Sequence, residues 1–497
     1  MVKGERRRRA PLLSHWAGYP LSGGWGEGDS GDEDMRVKDY GSYSFWLENS
    51  GDDLTPRPAL DGSTEVDVAI LGAGFTGLWT AYCLLRRDPS LSVLVVEREI
   101  AGFGASGRNG GWCVAEFSVT PAVMTKRYGR EASRAVALAM IESVDDIGRV
   151  TREEGIDGHY AHGGALVIAR AEYDLPKIEE MWEEYRSIGL EDRVALFDAD
   201  QTTERMRVAD AVGSFWMREG AAIQPARLAR GLARAVERRG GCIVEQTTVT
   251  DYVGSTSPRL ITDRGEVRAR RAIVLAGEAY LSRLPKLRRH VIPMTSHMVV
   301  TEPLPPEIWK QIGWEHREVA VGFGSTAGYL NHTADGRIAF GAYRSRYPYG
   351  SRISDDLDRM EDVFTHARHA ARVWFPMLQA VNFTHPWGGV FGVPRDRMPT
   401  MGFNPRTGVA LAFGYGGEGV ATANLSGRVL TDLLTGTDSD LTRLPMTSHQ
   451  PVPWEPEPLR SLGVNLVRRS RYKEIEQVER TGVYPEKPSL AARVFNR

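Results

Sequence analysis

Val66–Leu85 reads VDVAILGAGFTGLWTAYCLL, and its inner part, Val68–Leu85, runs for eighteen residues without a charge. A membrane-spanning helix needs about twenty mostly apolar residues and few breakers. Three glycines, Gly72, Gly74 and Gly77, interrupt this run. VDVAIL before them is a β-branched stretch suited to a buried strand. After them Leu78, Ala81, Tyr82 and Leu85 recur at helical spacing, and Pro89 ends the pattern. The segment therefore reads as strand, tight turn and helix.

A second strand follows, SVLVVE, Ser92–Glu97, and its acid stands twenty residues after Gly77. Strand, glycine turn, helix and a spaced acid together make a dinucleotide-binding fingerprint. Each part has a physical task. Gly72 makes the turn, Gly74 lets backbone amides approach a pyrophosphate, and Gly77 lets helix and strand close up. The helix N-terminus supplies partial positive charge. Ala73, Phe75 and Thr76 contribute backbone to the same turn, and Glu97, with Arg98 beside it, meets the ribose hydroxyls. The fingerprint does not separate FAD from NAD.

Just beyond lies REIAGFGASGRNGGWCVAEF, Arg98–Phe117, with five glycines among twenty residues. Ala105, Ser106, Arg108, Asn109, Gly110, Gly111 and Trp112 form a loop whose amides can lie against a flat ligand. A third glycine cluster, GYGGEGV, Gly414–Val420, precedes a run in which Leu425, Val429, Leu430, Leu433 and Leu434 share a side and Gly436 ends the helix. Glycines ahead of a helix leave free N–H groups, here around Gly414, Gly416, Gly417, Gly419 and Val420.

DVAILGAGFTGL, then Glu97, then GASGRNGGW, resembles the FAD-dependent glycine/D-amino-acid oxidase (DAO) family, most closely its γ-glutamylputrescine oxidoreductase-like branch. SYSFWLENS, Ser42–Ser50, is similar to the aromatic lead-in of that branch. The resemblance continues to about Gly436 in dispersed blocks. It implies that the backbone of Val249 meets the adenine ring, and that Ala276 and Gly277, in RRAIVLAGEAYLSRL, close over the nucleotide. It also implies that the Gly414–Val420 end faces the pyrimidine edge of the flavin, where positive potential stabilises the reduced ring.

The implied fold is α/β: a discontinuous Rossmann-like FAD-binding domain plus an α+β substrate domain with a mainly antiparallel sheet. The expected pieces are a disordered tail at 1–41, FAD-binding segments 42–120, 205–290 and 390–440, substrate-binding segments 121–204 and 291–389, and a C-terminal tail and helix at 441–497. MTKRYGREASRAVALAMIESVDDIGRVTREEG reads as one long amphipathic helix, and GYLNHTADGRIAFGAYR as a hairpin turning at Asp335-Gly336.

The implied reaction is oxidation of a CH–NH bond by hydride transfer to FAD, with an imine product that hydrolyses and O2 as acceptor. Alternatives are a D-amino-acid or N-methyl-amino-acid dehydrogenase, a non-catalytic flavoprotein subunit, and a flavin monooxygenase. Candidate pocket residues are Tyr329, Asn331, Arg344 and Tyr415, with Tyr343 and Arg346 as further options. Branch members commonly carry an arginine where this chain has Asn331, which weakens an α-amino-acid reading and favours an amine or a larger substrate. His297 and His332 read as buried structural histidines. No cysteine follows Cys242 and no histidine lies between His15 and His159, so the expected FAD is noncovalent.

Composition fits this reading. The chain has 497 residues, a formal charge of −2, 42% hydrophobic and 25% charged residues, ordinary values for a globular protein with no call on nucleic acid. Three scattered cysteines make neither a disulfide framework nor a metal site, and suggest a reducing, cytoplasmic setting. Arg6–Arg9 lack a following apolar segment, which argues against an export signal. Arg468, Arg469, Arg471 and Lys473 read as a solvated helix face, because Glu474, Glu476 and Glu479 follow at once.

Overall fold

The computed structural model describes residues 38–342, 344–354 and 359–485. The opening stretch folds as its pattern predicts. Thr64–Leu71 is a strand, and Phe75–Arg87 is a helix whose N-cap is Gly74. The strand pairs in parallel with Val93–Val96 on one side and Gly265–Leu275 on the other. Such a strand is covered on both faces, which is why it shows no polar alternation. Val68 and Ile70 are buried against Leu78, Trp79 and Tyr82 of the helix. Each aliphatic side chain so buried contributes roughly 1.5–3 kcal/mol.

Two eight-stranded sheets organise the described residues. The first draws Thr64–Leu71 and Val93–Val96 from the front, Cys242–Val244, Val249–Val253, Arg259–Thr262 and Gly265–Leu275 from the middle, and Thr400–Asn404 and Val409–Phe413 from the back. Its central pairings are parallel. The second takes Ala165–Ala169, Val194–Asp198, Gly213–Met217, Ile292–Thr301, Val319–Gly322, Gly328–His332, Ile338–Ala342 and Phe383–Val393. Its pairings are antiparallel except where Val319–Gly322 meets Ala165–Ala169. The architecture is the expected α/β one with a mainly antiparallel second sheet. Gly213–Met217 joins that second sheet from inside the 205–290 stretch, and Phe383–Val393 carries it past position 390.

Two local expectations change. The long amphipathic helix is two helices, Pro121–Tyr128 and Arg130–Glu153, because Gly129 takes φ +90 and breaks the ladder. Ordered structure also begins ahead of Ser42: Tyr40 is buried, and its hydroxyl donates to Glu99 Oε2 at 3.1 Å. The rest of the expected 1–41 tail falls on residues 1–37, outside the described residues. The hairpin forms as expected, with Gly336 at φ +77 in its turn. The Pro225–Arg238 helix starts on its proline, as Pro at the first helical position should.

Candidate functional site

The fingerprint turn is built by crowding. A Cβ placed on Gly77 would stand 1.9 Å from the Gly72 carbonyl oxygen, and one on Gly72 would meet the Ala276 carbonyl at 2.9 Å. Gly72 also needs its φ of +99. Ala276 lies beside the turn because its amide donates to the Leu71 carbonyl. Glu97 Oε2 accepts from the Ala73 amide at 2.8 Å, and Oε1 from the Glu99 amide at 3.0 Å. Burial outweighs those bonds and pushes the Glu97 carboxyl up to about 7. Its backbone binds Val244 and Thr247, which brings Val249 at the start of its strand close by. Arg98 is exposed and faces Glu99. Ser106 joins this corner by accepting from the Phe75 amide at 2.8 Å.

The second glycine loop is held by its carbonyls. Ser44 Oγ donates to Gly107 O at 2.8 Å, Trp387 Nε1 to Arg108 O at 3.0 Å, and Trp46 Nε1 to Asn109 O at 2.8 Å. Asn331 Nδ2 reaches Gly110 O at 3.3 Å and Gly111 O at 2.8 Å. Five successive carbonyls are thus drawn toward the lead-in segment and the second sheet, which fixes the loop between them. Trp112 Nε1 donates to Leu330 O at 2.9 Å and adds a further tie to that sheet. The Arg108 guanidinium is buried over the Phe103 ring at 4.1 Å and binds the Phe103 carbonyl, so it supports the loop from within.

The third loop completes the cradle. Gly414, Gly416 and Gly417 all take positive φ, and a Cβ on Gly417 would meet nothing within 4 Å. The Gly419–Thr435 helix starts without a side-chain cap, so its first amides are free to serve a ligand. Tyr415 ties this loop to the first: its hydroxyl pairs with Thr76 Oγ1 at 2.9 Å and Ser426 Oγ at 3.0 Å. Tyr415 is buried, so it links two loops rather than lining open space. The two helices cross where Gly427 lies against Trp79 and Thr80.

Three acids inside the glycine-rich blocks are given no role by the sequence. Glu278, at φ +47 just after Gly277, accepts from the Gly414 and Tyr415 amides, each at 3.0 Å. It joins the Ala276–Gly277 turn to the third loop. Glu116 and Glu418 lie on facing segments; a Cβ on Gly416 would meet Ser118 Cβ at 3.3 Å. Burial raises both carboxyls, and for Glu418 the neighbouring Glu116 raises it further. Only their setting reveals them, because single glutamates have no spacing to recognise.

The second sheet sorts the remaining candidates. Tyr329 packs its ring on Gly110, where a Cβ would come within 2.9 Å, and edge-on to Trp112 with centroids 6.4 Å apart. Its hydroxyl bonds Ser296 Oγ, and burial pushes the phenol up to about 12. Asn331 is fully buried; its amide nitrogen donates to backbone carbonyls including Ile223 O at 3.3 Å, while its Oδ1 has no partner among the described residues. Arg344 is exposed near His366, and Arg346 pairs with Asp362. Tyr343 lies outside the described residues. His297 is buried edge-on to Phe364, and His332 stacks on Trp309 at 3.8 Å with its pKa lowered to about 4 by burial. Among the described residues no cluster of three His, Cys, Asp or Glu could hold a metal.

The cradle suits a dinucleotide with a flat ring. Its glycines admit backbone where side chains would collide, an acid waits at the ribose distance in sequence, and an uncapped helix end adjoins an open glycine surface. Comparison with known proteins agrees. Residues 67–433 match the DAO family, described as FAD dependent oxidoreductase. Gamma-glutamylputrescine oxidoreductase of Escherichia coli K12 is 31% identical over 82% of this chain and 93% of its own length. Glycine oxidase of Geobacillus kaustophilus is 23% identical over 77% of this chain and 97% of its own. The crystal structure of glycine oxidase from that organism superposes with a TM-score of 0.63 at 23% identity, covering 78% of this chain and 99% of the other. L-proline dehydrogenase from P. horikoshii gives 0.64 at 17% identity over 78% and 96%.

Proposed function

Because the chain belongs to the DAO family of FAD-dependent oxidoreductases, we propose that it oxidises the CH–NH bond of an amine, passing the electrons to O2 and releasing an imine that water hydrolyses to a carbonyl compound. FAD, when bound, supplies the two-electron acceptor. The segments that build the first sheet, with Gly72–Gly77, Glu97, Ala105–Trp112, Val249, Ala276–Gly277 and Gly414–Val420, hold it without a covalent bond. The segments of the second sheet cover the substrate.

One observation carries the reading: the Tyr415–Thr76 bond at 2.9 Å, which fastens the open end of the Gly419–Thr435 helix to the fingerprint turn. The chain's own residues then do three things. The uncapped amides of that helix stabilise negative charge arriving at the ring. Tyr329 on Gly110 walls off water and orients the reacting carbon. Glu116 and Glu418 offer carboxyls to an amine, able to hold or take a proton beside it.

An amine is favoured over an α-amino acid on two grounds. The relative at 31% identity is named for γ-glutamylputrescine. Once ionised, the carboxyls of Glu116 and Glu418 attract ammonium and repel carboxylate. The experiment is anaerobic titration of purified holoprotein with polyamines, γ-glutamyl amines, N-methyl amino acids and D-amino acids. Amines bleach the oxidised flavin band, air restores it with peroxide release, and acid precipitation frees the flavin. Rapid bleaching by D-amino acids alone overturns the substrate assignment, and failure of air to restore the band overturns O2 as acceptor.

A further inference from the structure

The C-terminal helix Leu459–Thr481 takes no part in the cradle, yet among the described residues it carries three well-exposed leucines. Leu459, Leu462 and Leu466 are each more than half exposed, as is Tyr349, and Val452 is nearly so. These groups are held together. Glu457 Oε1 accepts from Tyr347 Oη at 2.6 Å and from the Gly350 amide at 3.1 Å, while Oε2 accepts from the Ser461 amide at 3.1 Å. One carboxylate thereby locks the Tyr349 turn to the start of the helix. Away from the leucines the helix is anchored, with Val478 buried and Val464 packed against the Ile292, Tyr347 and Trp454 cluster.

The exposed stripe continues by steps of three and four residues: Leu459, Leu462, Leu466, Arg469, Lys473. Steps of that kind keep one face of a helix. The first half is apolar and the second basic, and Arg469 and Lys473 are exposed. The margin is basic as well. Arg460 Nη1 donates to Arg288 O at 3.3 Å and the Trp454 amide to Arg289 O at 2.6 Å, which seats exposed Arg288 and Arg289 beside the helix start. The helix holds six cationic residues against three acids, and one acid, Glu479, is spent on the Ser325 amide at 2.6 Å.

A second copy is a poor occupant. Self-pairing of the stripe sets cations against cations in parallel, or leucines against cations in antiparallel. A surface with apolar side chains flanked by fixed positive charge matches the headgroup boundary of an anionic bilayer. No helix of the described residues is long and apolar enough to span a membrane, so the contact is with the surface. We propose that the Leu459–Lys473 face docks this protein on an anionic lipid membrane, the leucines and Tyr349 entering the headgroup region and Arg469, Lys473, Arg288 and Arg289 meeting lipid phosphates. The solvated face expected from the charges alone becomes a membrane-facing one because the leucines share it.

The test is co-sedimentation of the full-length holoprotein with extruded vesicles of phosphatidylcholine alone or mixed with phosphatidylglycerol. Binding is expected only to the mixed vesicles and weakens as salt rises. Leu462→Glu with Leu466→Glu, and separately Arg469→Glu with Lys473→Glu, each reduce it at least about tenfold. Melting temperature and flavin content stay unchanged, because these side chains are exposed. Absence of binding to mixed vesicles overturns the proposal, as does binding that both double variants retain. Sedimentation that reveals a dimer broken by Leu462→Glu and Leu466→Glu, without vesicle binding, assigns the face to a second copy and also overturns it.

Discussion

In the Gly72–Gly77 turn a methyl group added at Gly77 would stand 1.9 Å from the Gly72 carbonyl oxygen, whereas at Gly417 it would meet nothing within 4 Å. Both turns precede a helix and both are read as cofactor loops, but their glycines answer different demands. The first is packed between strand and helix, so Gly77 is required by volume. In the last, Gly417 faces open space and is required by backbone angle alone, at φ +119. A fingerprint of glycines therefore does not say which demand each one meets, and substitutions separate them.

Gly77→Ala forces strand and helix apart. We expect a loss of more than about 3 kcal/mol, read as a collapsed melting temperature and flavin-free protein. Glu97→Gln comes next; it keeps one of the two acceptor oxygens, so the turn loosens while the protein still folds. It weakens FAD binding by about tenfold to a hundredfold, the range of about 1.5–3 kcal/mol for hydrogen bonds to a charged group, measured by flavin fluorescence quenching. Glu97 also sets a pH dependence. Its carboxyl is raised to about 7, so the ionised, better acceptor grows in as pH rises through about 7, and FAD affinity rises with it. The same shift means that folding stability from this group is full at low pH and lost as pH rises through about 7. Glu97→Gln flattens both trends.

Gly417→Ala sharpens the contrast with Gly77→Ala. It costs about 1–2 kcal/mol through backbone strain alone, so the protein folds and holds flavin, and thermal melts show a modest drop. Tyr415→Phe removes the bond between the two turns at a cost of about 1 kcal/mol, seen as a faster flavin off-rate with little change in melting temperature. The smallest effect belongs to Glu418→Gln. Burial and Glu116 raise the Glu418 carboxyl, so its protonated form persists above the usual carboxylate range and the charge that holds an ammonium appears only as pH climbs. The variant abolishes this limb in the pH profile of KM while changing the limiting rate less than about tenfold.

Much of the cradle was legible in the sequence because it consists of backbone. Glycine is the residue that a positive φ or a contact under 3 Å demands, so Gly72, Gly77 and Gly414 announce themselves in one dimension. Asn331 shows the other case. Read in sequence as a substrate-pocket difference, it also ties the loop in place, its amide nitrogen donating to the Gly110, Gly111 and Ile223 carbonyls. Those partners lie more than a hundred residues away, so no local pattern could reveal them. Arg344 lies past the end of the Ile338–Ala342 strand and is exposed.

The order of strand, turn, helix and spaced acid was settled by the chain alone, since hydrophobic period and glycine placement are local properties that short-range sterics enforce. Tertiary structure alone decided which carboxyls gather at the cradle, which carbonyls the indoles of Trp46 and Trp387 capture, and that three leucines of a basic helix stay in the open. Those outcomes depend on burial and on partners distant in sequence, and neither is a property of any single stretch.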